Sequence, residues 1–428
     1  MAVLAPARPL NWDVRHRLQL RIISGTALIL CAATSAVQIM GYTSTAFSAL
    51  CLLLAPAWLL TRPARSELIF VGVAAVGFLA FVLSFTVNRL PYLDQRILQW
   101  PCFALYFIGI AVLAAGSLDR VFALTAGIAI GTCGYFLTAG IPELAQFSFA
   151  AYWKYAFAPW ITVLAMFVLV ALNASRTAQA GLLLCFAVIS LSLNYRSHAL
   201  TCIGAATVLL VARYGGQWSR LARSVGGAAV VLGFAWLMPV IARSGIGGQA
   251  LADKVEMQES IGAPALLAGR TEPPLSLTAI AEKPWLGWGS ANQISPDVFA
   301  RAEDLALQWG FDPSVDLYYQ WHLPNGDTSL HSNLLNAWAE GGVGAALLPF
   351  ALLIGAVLMI VRHDRFGEWA GLAVVLATQA CWDLLFSPAS YNTLSTFAVL
   401  AVACATIHRP GLGTVTATDR DPTTVEAR

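Results

Sequence analysis

Residues 326–360 read "GDTSLHSNLLNAWAEGGVGAALLPFALLIGAVLMI", a polar turn that passes directly into a long apolar run. A helix needs roughly 20 apolar residues to cross a bilayer, and this run is long enough. His331 therefore stands where the chain is expected to enter the membrane, with Glu340 and a glycine pair behind it. Two interpretations of His331 stay open at this point: an interfacial anchor beside Trp338, or a base held at the membrane surface.

The same polar turn predicts where the helix begins. Thr328 or Ser329 can cap a helix that starts at Leu330, because a hydroxyl side chain accepts a hydrogen bond from a free N–H of the first turn. On such a helix, His331 and Trp338 lie on one face, since residues three and four apart are neighbours.

The composition of the whole chain agrees with a membrane location. Of 428 residues, 58% are hydrophobic and 11% are charged, and the mean hydropathy is +0.69. Soluble proteins carry about 25% charged residues, so this is expected to be an integral membrane protein. The net charge of +2 gives no indication of a nucleic-acid partner, and none is expected. All cysteines lie in apolar runs, which indicates core residues rather than disulfides or metal ligands.

The apolar runs predict an all-α fold with about twelve membrane spans. The spans are expected at approximately 20–39, 43–61, 67–87, 98–117, 120–140, 157–174, 177–195, 197–213, 224–243, 339–361, 366–387 and 391–408. The aromatic stretch 142–160 is expected to lie in the membrane interface before the sixth span. Four regions follow: spans one to nine in 1–243, a polar loop in 244–338, spans ten to twelve in 339–408, and a disordered cytoplasmic tail in 409–428.

The distribution of arginine predicts the orientation in the membrane. With the N-terminus in the cytoplasm, sixteen arginines fall in inside segments, whereas the short outside loops hold only four basic residues, namely Arg89, Arg96, Lys154 and Arg196. Cytoplasmic loops are the ones enriched in Lys and Arg. Both termini are therefore expected in the cytoplasm and the loop 244–338 on the outer face.

The long loop differs in composition from the rest of the chain. It holds 11 of the 23 acidic residues and carries Trp285, Trp288, Trp309 and Trp321. A loop of this length is usually functional or disordered, and its apolar content favours a small helical cap. The unusual ionisable residues also fall at the outer ends of the spans or in this loop, whereas a transporter is expected to place charges at the midplane. They are Arg89, Arg96, Lys154, Arg196, His198, Arg270, Lys283, His331, Glu340 and Asp383.

Two further stretches carry polar residues of interest. "SLNYRSHALT" (192–201) holds Arg196 and His198 in a tight turn between two spans, although Arg196 alone could equally reach lipid headgroups. "AGRTEPPLSLTAIAEKPWLGWGSANQ" (268–293) predicts a short amphipathic helix that follows two prolines and ends at Lys283. Arg270 precedes that helix, and a surface helix with an incidental Arg and Lys is the alternative. No His or Cys spacing typical of zinc accompanies these residues, so neither metal nor cofactor is expected.

Taken together, "NYRSHAL", "GRTEPPLSLTAIAEKPWLGWG" and "HSNLLNAWAEGGVGAALL" resemble the O-antigen ligase family in their order and spacing. That family shares a domain with O-antigen polymerases and related bacterial polysaccharide polymerases. The resemblance covers about residues 190–361 by motif and the whole chain by topology. It implies a GT-C type glycosyltransferase embedded in the bacterial inner membrane, with its active site on the periplasmic face and the large periplasmic loop between spans nine and ten.

The resemblance also implies a reaction and its participants. A glycan carried on undecaprenyl pyrophosphate is transferred en bloc to a sugar hydroxyl of lipid A–core. Membrane lipids surround the spans, and the reaction needs no metal. His331 corresponds to the general base, and Arg196 and Arg270 correspond to the pyrophosphate-binding residues. The side chains expected to support them are His198, Lys283, Arg89, Glu340 and Asn333.

Related functions stay open. A polymerase that joins repeat units on the carrier belongs to the same superfamily, and so does a protein O-oligosaccharyltransferase. A transporter or lipid flippase is the alternative from another class; it predicts charges at the midplane and transport without the loop.

Overall fold

The computed structural model describes residues 12–215 and 270–408, apart from 42, 62, 93, 142–147, 324, 391 and 392, with isolated positions between 216 and 269; residues 12–21 are described by their backbone. A short antiparallel hairpin of β1 (Gln38–Met40) and β2 (Ser44–Thr45) interrupts an otherwise helical chain. The helices are α1 (Trp12–Ala33), α2 (Ala46–Leu60), α3 (Arg65–Val87), α4 (Gln95–Ala114), α5 (Leu118–Ala139), α6 (Phe149–Tyr152), α7 (Ala158–Ala171), α8 (Arg176–Ser192), α9 (Arg196–Tyr214), α10 (Pro273–Glu282), α11 (Pro296–Gln308), α12 (Leu317–Gln320), α13 (Asn333–Val361), α14 (Ala370–Phe386) and α15 (Thr393–Ile407).

Within the described part of the chain, 7 helices are long and apolar enough to cross a membrane by length and composition. Four more apolar helices are shorter, in the range of 10–17 residues. This is the architecture of an all-α, multi-pass membrane protein. The count of twelve spans stays a prediction, because the ninth predicted span (224–243) and the tail (409–428) lie outside the described residues.

The sixth span begins earlier than the sequence predicts. A continuous helix covers Phe149–Ala171 and contains a π-helical turn at Trp153–Phe157. The stretch 149–157 is therefore continuous with the sixth span, and its expected position in the membrane interface stays a prediction. Trp153 is buried there, and its indole Nε1 donates to Ser190 Oγ of α8 at 3.0 Å.

Small residues let the apolar helices approach closely. A Cβ added at Gly131 of α5 would contact the backbone of Ala33 in α1, and one added at Gly109 of α4 would contact Cys51 in α2. Helices packed in a membrane gain mainly from such close contact, because lipid tails are as apolar as the helix surface.

Residues 270–331 form a helical unit, which we call the cap, around an apolar cluster of its own. Phe299 and Trp321 pack at its centre with Leu275. Trp321 is 0% exposed, and its indole Nε1 donates to the carbonyl of Thr271 at 2.8 Å. A buried indole N–H needs such a partner, so this bond fixes the chain just before α10.

The cap is attached to α13 at a break in that helix. Gly342 has φ 72 and ψ −175, which interrupts the helical hydrogen bonds. The freed carbonyl of Ala339 accepts from Trp288 N at 2.8 Å, and that of Glu340 accepts from Gly289 N at 2.7 Å. The "WLGWG" turn and the "EGG" segment, far apart in the sequence, therefore bind each other through their backbones; we call this contact the joint.

Glycine is required on both sides of the joint. A Cβ at Gly287 would contact the backbone of Glu340, and a Cβ at Gly342 would contact the carbonyl of Trp285. A third backbone bond, from Val343 N to Pro284 O at 3.0 Å, completes the contact. The two motifs thus have a clear structural role, which is to hold the cap on the helix bundle.

Candidate active site

A cavity of about 410 Å³ lies where α9, α13 and α15 begin and α14 ends, beside the cap. Its wall carries Lys154, Arg270, His331 and Asp383, together with aromatic side chains such as Trp382. It therefore combines positive charge, a histidine and apolar surface. These are the properties needed to bind an amphiphilic anion.

His331 lies just outside α13 rather than on it. Ser332 is the N-cap, and its Oγ accepts from Leu335 N at 3.1 Å, so the helix begins at Asn333. The predicted start three residues earlier is wrong, and His331 and Trp338 do not share a helical face. Instead His331 has φ 41, a conformation that is unusual for any residue except glycine. Strained backbone of this kind clusters at active sites.

The imidazole of His331 is held at one nitrogen. Its Nδ1 lies 2.8 Å from Glu272 Oε1 and 2.8 Å from Ser329 Oγ. An ionised carboxylate only accepts hydrogen bonds, so the hydrogen lies on Nδ1 and the lone pair of the neutral ring lies on Nε2. None of the described residues makes a hydrogen bond to Nε2. The nitrogen that a base would use is thus available.

Glu272 was not recognised from the sequence. It is one of eleven acidic residues in the long loop, and nothing in the local pattern distinguishes it. In the structure it is 7% exposed, and its partner comes from the other end of the cap. Its position two residues after Arg270 is the only local signal that could have drawn attention to it.

Arg270 reaches the same cavity as His331, as the resemblance implied. The hydroxyl of Tyr195, also in the cavity wall, interacts electrostatically with both Arg270 and Asp383. Burial raises the pKa of Tyr195 above its ordinary value; Asp383 raises it further and Arg270 lowers it. Tyr195 therefore stays neutral and can donate a hydrogen bond.

A second cation in the cavity is Lys154, which precedes α7. Its Nζ lies 2.9 Å from the hydroxyl of Tyr155 and 4.5 Å from the centroid of that ring. Opposite charge is supplied by Asp383, whose Oδ1 accepts from Gln379 Nε2 and Ser387 Oγ, each at 3.0 Å. The two cations come from different elements, the sixth span and the cap.

Arg196 does not join them in the cavity wall. It is the first residue of α9 and is half-buried, while its neighbours Tyr195 and Ser197 line the cavity. Of the three residues expected to converge, the structure brings together Arg270 and His331.

His198 lines the cavity, but both of its ring nitrogens have partners. Nδ1 lies 2.8 Å from Ser190 Oγ, and Nε2 lies 3.2 Å from Thr162 Oγ1. Thr162 already donates its hydroxyl hydrogen to the carbonyl of Ala158, so it accepts from Nε2, which carries the ring proton. Nδ1 then accepts from the hydroxyl of Ser190, whose oxygen accepts from Trp153. This arrangement ties α7, α8 and α9 together and leaves no lone pair for catalysis.

The other predicted supporting residues lie outside the described cavity wall. Lys283 donates to Asn88 Oδ1 at 3.1 Å and lies 3.9 Å from the ring centroid of Trp288, so it belongs to the joint. Arg89 is exposed at the end of α3, with φ 54. Neither residue is placed to contact a ligand of the cavity.

Glu340 and Asn333 have structural partners. The Glu340 carboxylate accepts from Ala291 N at 2.9 Å and from Asn336 Nδ2 at 3.2 Å, and it lies 3.8 Å from Arg96. Asn333 Nδ2 donates to the carbonyl of Asp383 at 2.8 Å. The first side chain connects the cap to the bundle, and the second connects α13 to α14.

The fold and cavity define a helical membrane protein with a polar site between its cap and its bundle. No group of three or more potential metal-ligating side chains occurs among the residues described. Comparisons with protein-family models, with curated proteins and with solved structures find no match for this chain.

Proposed function

We propose that this protein is an O-antigen ligase, which transfers a glycan from undecaprenyl pyrophosphate to a sugar hydroxyl of lipid A–core. The observation that carries the proposal is the shared cavity of His331 and Arg270, in which Nε2 of the histidine has no hydrogen-bond partner among the described residues. Apolar and aromatic walls beside these groups suit a donor that has a lipid tail, a pyrophosphate and sugar rings. The resemblance of three ordered motifs to the ligase family supports the same conclusion.

The proposed reaction begins with proton removal from the acceptor hydroxyl. His331 Nε2 takes the proton as the hydroxyl oxygen attacks the anomeric carbon, because a neutral imidazole with a reference pKa near 6.5 is an effective base. The new C–O bond forms while the bond from the anomeric carbon to the pyrophosphate oxygen breaks. Undecaprenyl pyrophosphate leaves with that electron pair.

Negative charge grows on the pyrophosphate during this step, and fixed cations stabilise it. Arg270 can bind two phosphate oxygens with its planar guanidinium. Lys154, in the same cavity wall, offers a second positive charge. Arg196, the other residue that the resemblance implies, remains a proposed contact, although it does not line the cavity. Two such cations supply electrostatic stabilisation of the leaving group without a metal.

The experiment is a transfer assay on single variants. His331→Ala and Arg270→Ala are expected to lose ligated lipopolysaccharide in a host without its own ligase; removal of a general base costs roughly 10²- to 10⁴-fold in rate. Matched controls are His322→Ala and Arg301→Ala, since both residues belong to the cap and neither lines the cavity. Equal product from all four variants would refute the mechanism.

The identity of the product separates the related functions. Lipopolysaccharide that ends at core in a knockout, with long glycan still on the carrier, indicates a ligase. Core capped by single repeat units indicates a polymerase. Glycan that becomes sensitive to protease indicates transfer to protein.

A further inference from the structure

We infer that Glu272 is a positioning residue for His331: its carboxylate fixes the imidazole with Nε2 toward the acceptor and balances the charge that the ring gains. This inference rests on the proposed function, in which His331 is the base. It concerns a side chain that lies within the second motif but to which the resemblance assigns no role.

The carboxylate of Glu272 is buried. Glu272 is 7% exposed, and its Oε2 is buried with no hydrogen-bond partner among the residues the structure describes. Its Oε1 contacts His331 Nδ1 at 2.8 Å. Keeping a carboxylate so poorly solvated is costly unless a positive charge compensates it. The compensating charge arises when His331 accepts a proton, which makes the pair an imidazolium and a carboxylate.

Trp321 fixes the chain beside both Glu272 and His331. The indole Nε1 of Trp321 donates to Thr271 O at 2.8 Å, next to Glu272. The carbonyl of the same Trp321 accepts from Ser329 N at 2.9 Å, two residues before His331. Trp321 is fully buried in the cap, so the carboxylate and the imidazole are held at a set distance. Such preorganisation is what an orienting carboxylate requires.

The contact with Glu272 also selects the tautomer of His331. With Nδ1 protonated toward Glu272, the basic nitrogen is Nε2, which faces away from the carboxylate. Without the carboxylate, the Ser329 hydroxyl can donate to Nδ1, and the proton then moves to Nε2, where it blocks the reaction. Glu272 therefore selects the reactive form of the ring.

The test uses the full-length protein in detergent with a purified lipid-linked glycan donor and lipid A–core. Glu272→Gln keeps the size of the side chain and removes its charge. The turnover number is expected to fall roughly 10- to 100-fold, the range for side chains that orient a functional histidine, with little change in KM for the donor.

A purely structural role for Glu272 would reduce the amount of folded protein without lowering turnover per folded molecule. Wild-type turnover per folded molecule in Glu272→Gln overturns the inference. Should that variant not fold, ¹⁵N NMR of histidine-labelled wild-type protein decides, with the His331 signal assigned by its loss in His331→Ala. A proton on Nδ1 supports the inference, and a proton on Nε2 overturns it. An active His331→Ala variant would instead refute the proposed function itself.

Discussion

Gly342→Ala is expected to detach the cap from the helix bundle. Gly342 has φ 72 and ψ −175, a region that residues with a side chain avoid at a cost of roughly 1–3 kcal/mol. The added methyl group would also meet the carbonyl of Trp285 across the joint. Either the turn moves away or α13 changes its path, and in both cases the backbone contacts between them are lost.

The expected magnitude follows from those contacts. Three backbone hydrogen bonds cross the joint, at 2.8, 2.7 and 3.0 Å. Each contributes about 1 kcal/mol net, so their loss adds roughly 3 kcal/mol to the conformational cost. The total, roughly 4–6 kcal/mol, is comparable to the whole stability of a small domain, which is about 5–15 kcal/mol.

Urea unfolding of the cap in detergent, followed by tryptophan fluorescence, measures this cost. Gly326→Ala is the matched control, since Gly326 has φ 85 but nothing within 4 Å of the added Cβ. It isolates the conformational part, so Gly342→Ala should be less stable by roughly a further 3 kcal/mol. Equal midpoints for the two variants would refute the role of the joint.

Three further predictions concern the site and its support. Lys154→Ala should raise KM for the lipid-linked donor about tenfold, because one charged hydrogen bond contributes about 1.5 kcal/mol. Lys154→Arg keeps the charge and should stay close to wild type. An unchanged KM in Lys154→Ala contradicts the phosphate contact. Trp321→Phe removes the bond to Thr271 and replaces the buried indole with a smaller ring, so the free energy of unfolding of the cap should fall by at least about 1 kcal/mol in the same urea assay. His198→Ala should lower thermal stability by about 2 kcal/mol, because buried hydroxyls lose their partner. Turnover per folded molecule should stay near wild type. A loss of turnover as large as that of His331→Ala would contradict the structural role of His198.

The helices could be predicted from composition because a membrane leaves few alternatives. Every backbone polar group must be satisfied inside the segment, so a long apolar run becomes a helix whatever its neighbours do. The start of α13 was misplaced because three nearby hydroxyl residues, Thr328, Ser329 and Ser332, can serve as caps. Only tertiary contacts select Ser332, whose Oγ also donates to Leu384 O at 3.1 Å.

The residues of the candidate site could be predicted from the sequence only in part. His331 stood out because polar residues are rare near spans, and Arg270 because its stretch resembles a family motif, whereas Glu272 is one acid among many in a polar loop. The role of Glu272 depends on the path of the chain around Trp321, which no local pattern encodes. Glu340, an acid next to an apolar run, was expected to support the site; in the structure its carboxylate accepts from Ala291 N and Asn336 at the joint.

The backbone character of the joint has a consequence for how such a protein can diversify. Because the cap is aligned by main-chain amides and two glycines, most substitutions on α11 and α12 leave its docking unchanged. On the proposed function, sugar preference would depend on the exposed cap surface, while His331 and Arg270 keep their positions in the cavity. Recognition of the glycan and the chemistry of the cavity would then reside in separate parts of the same cap.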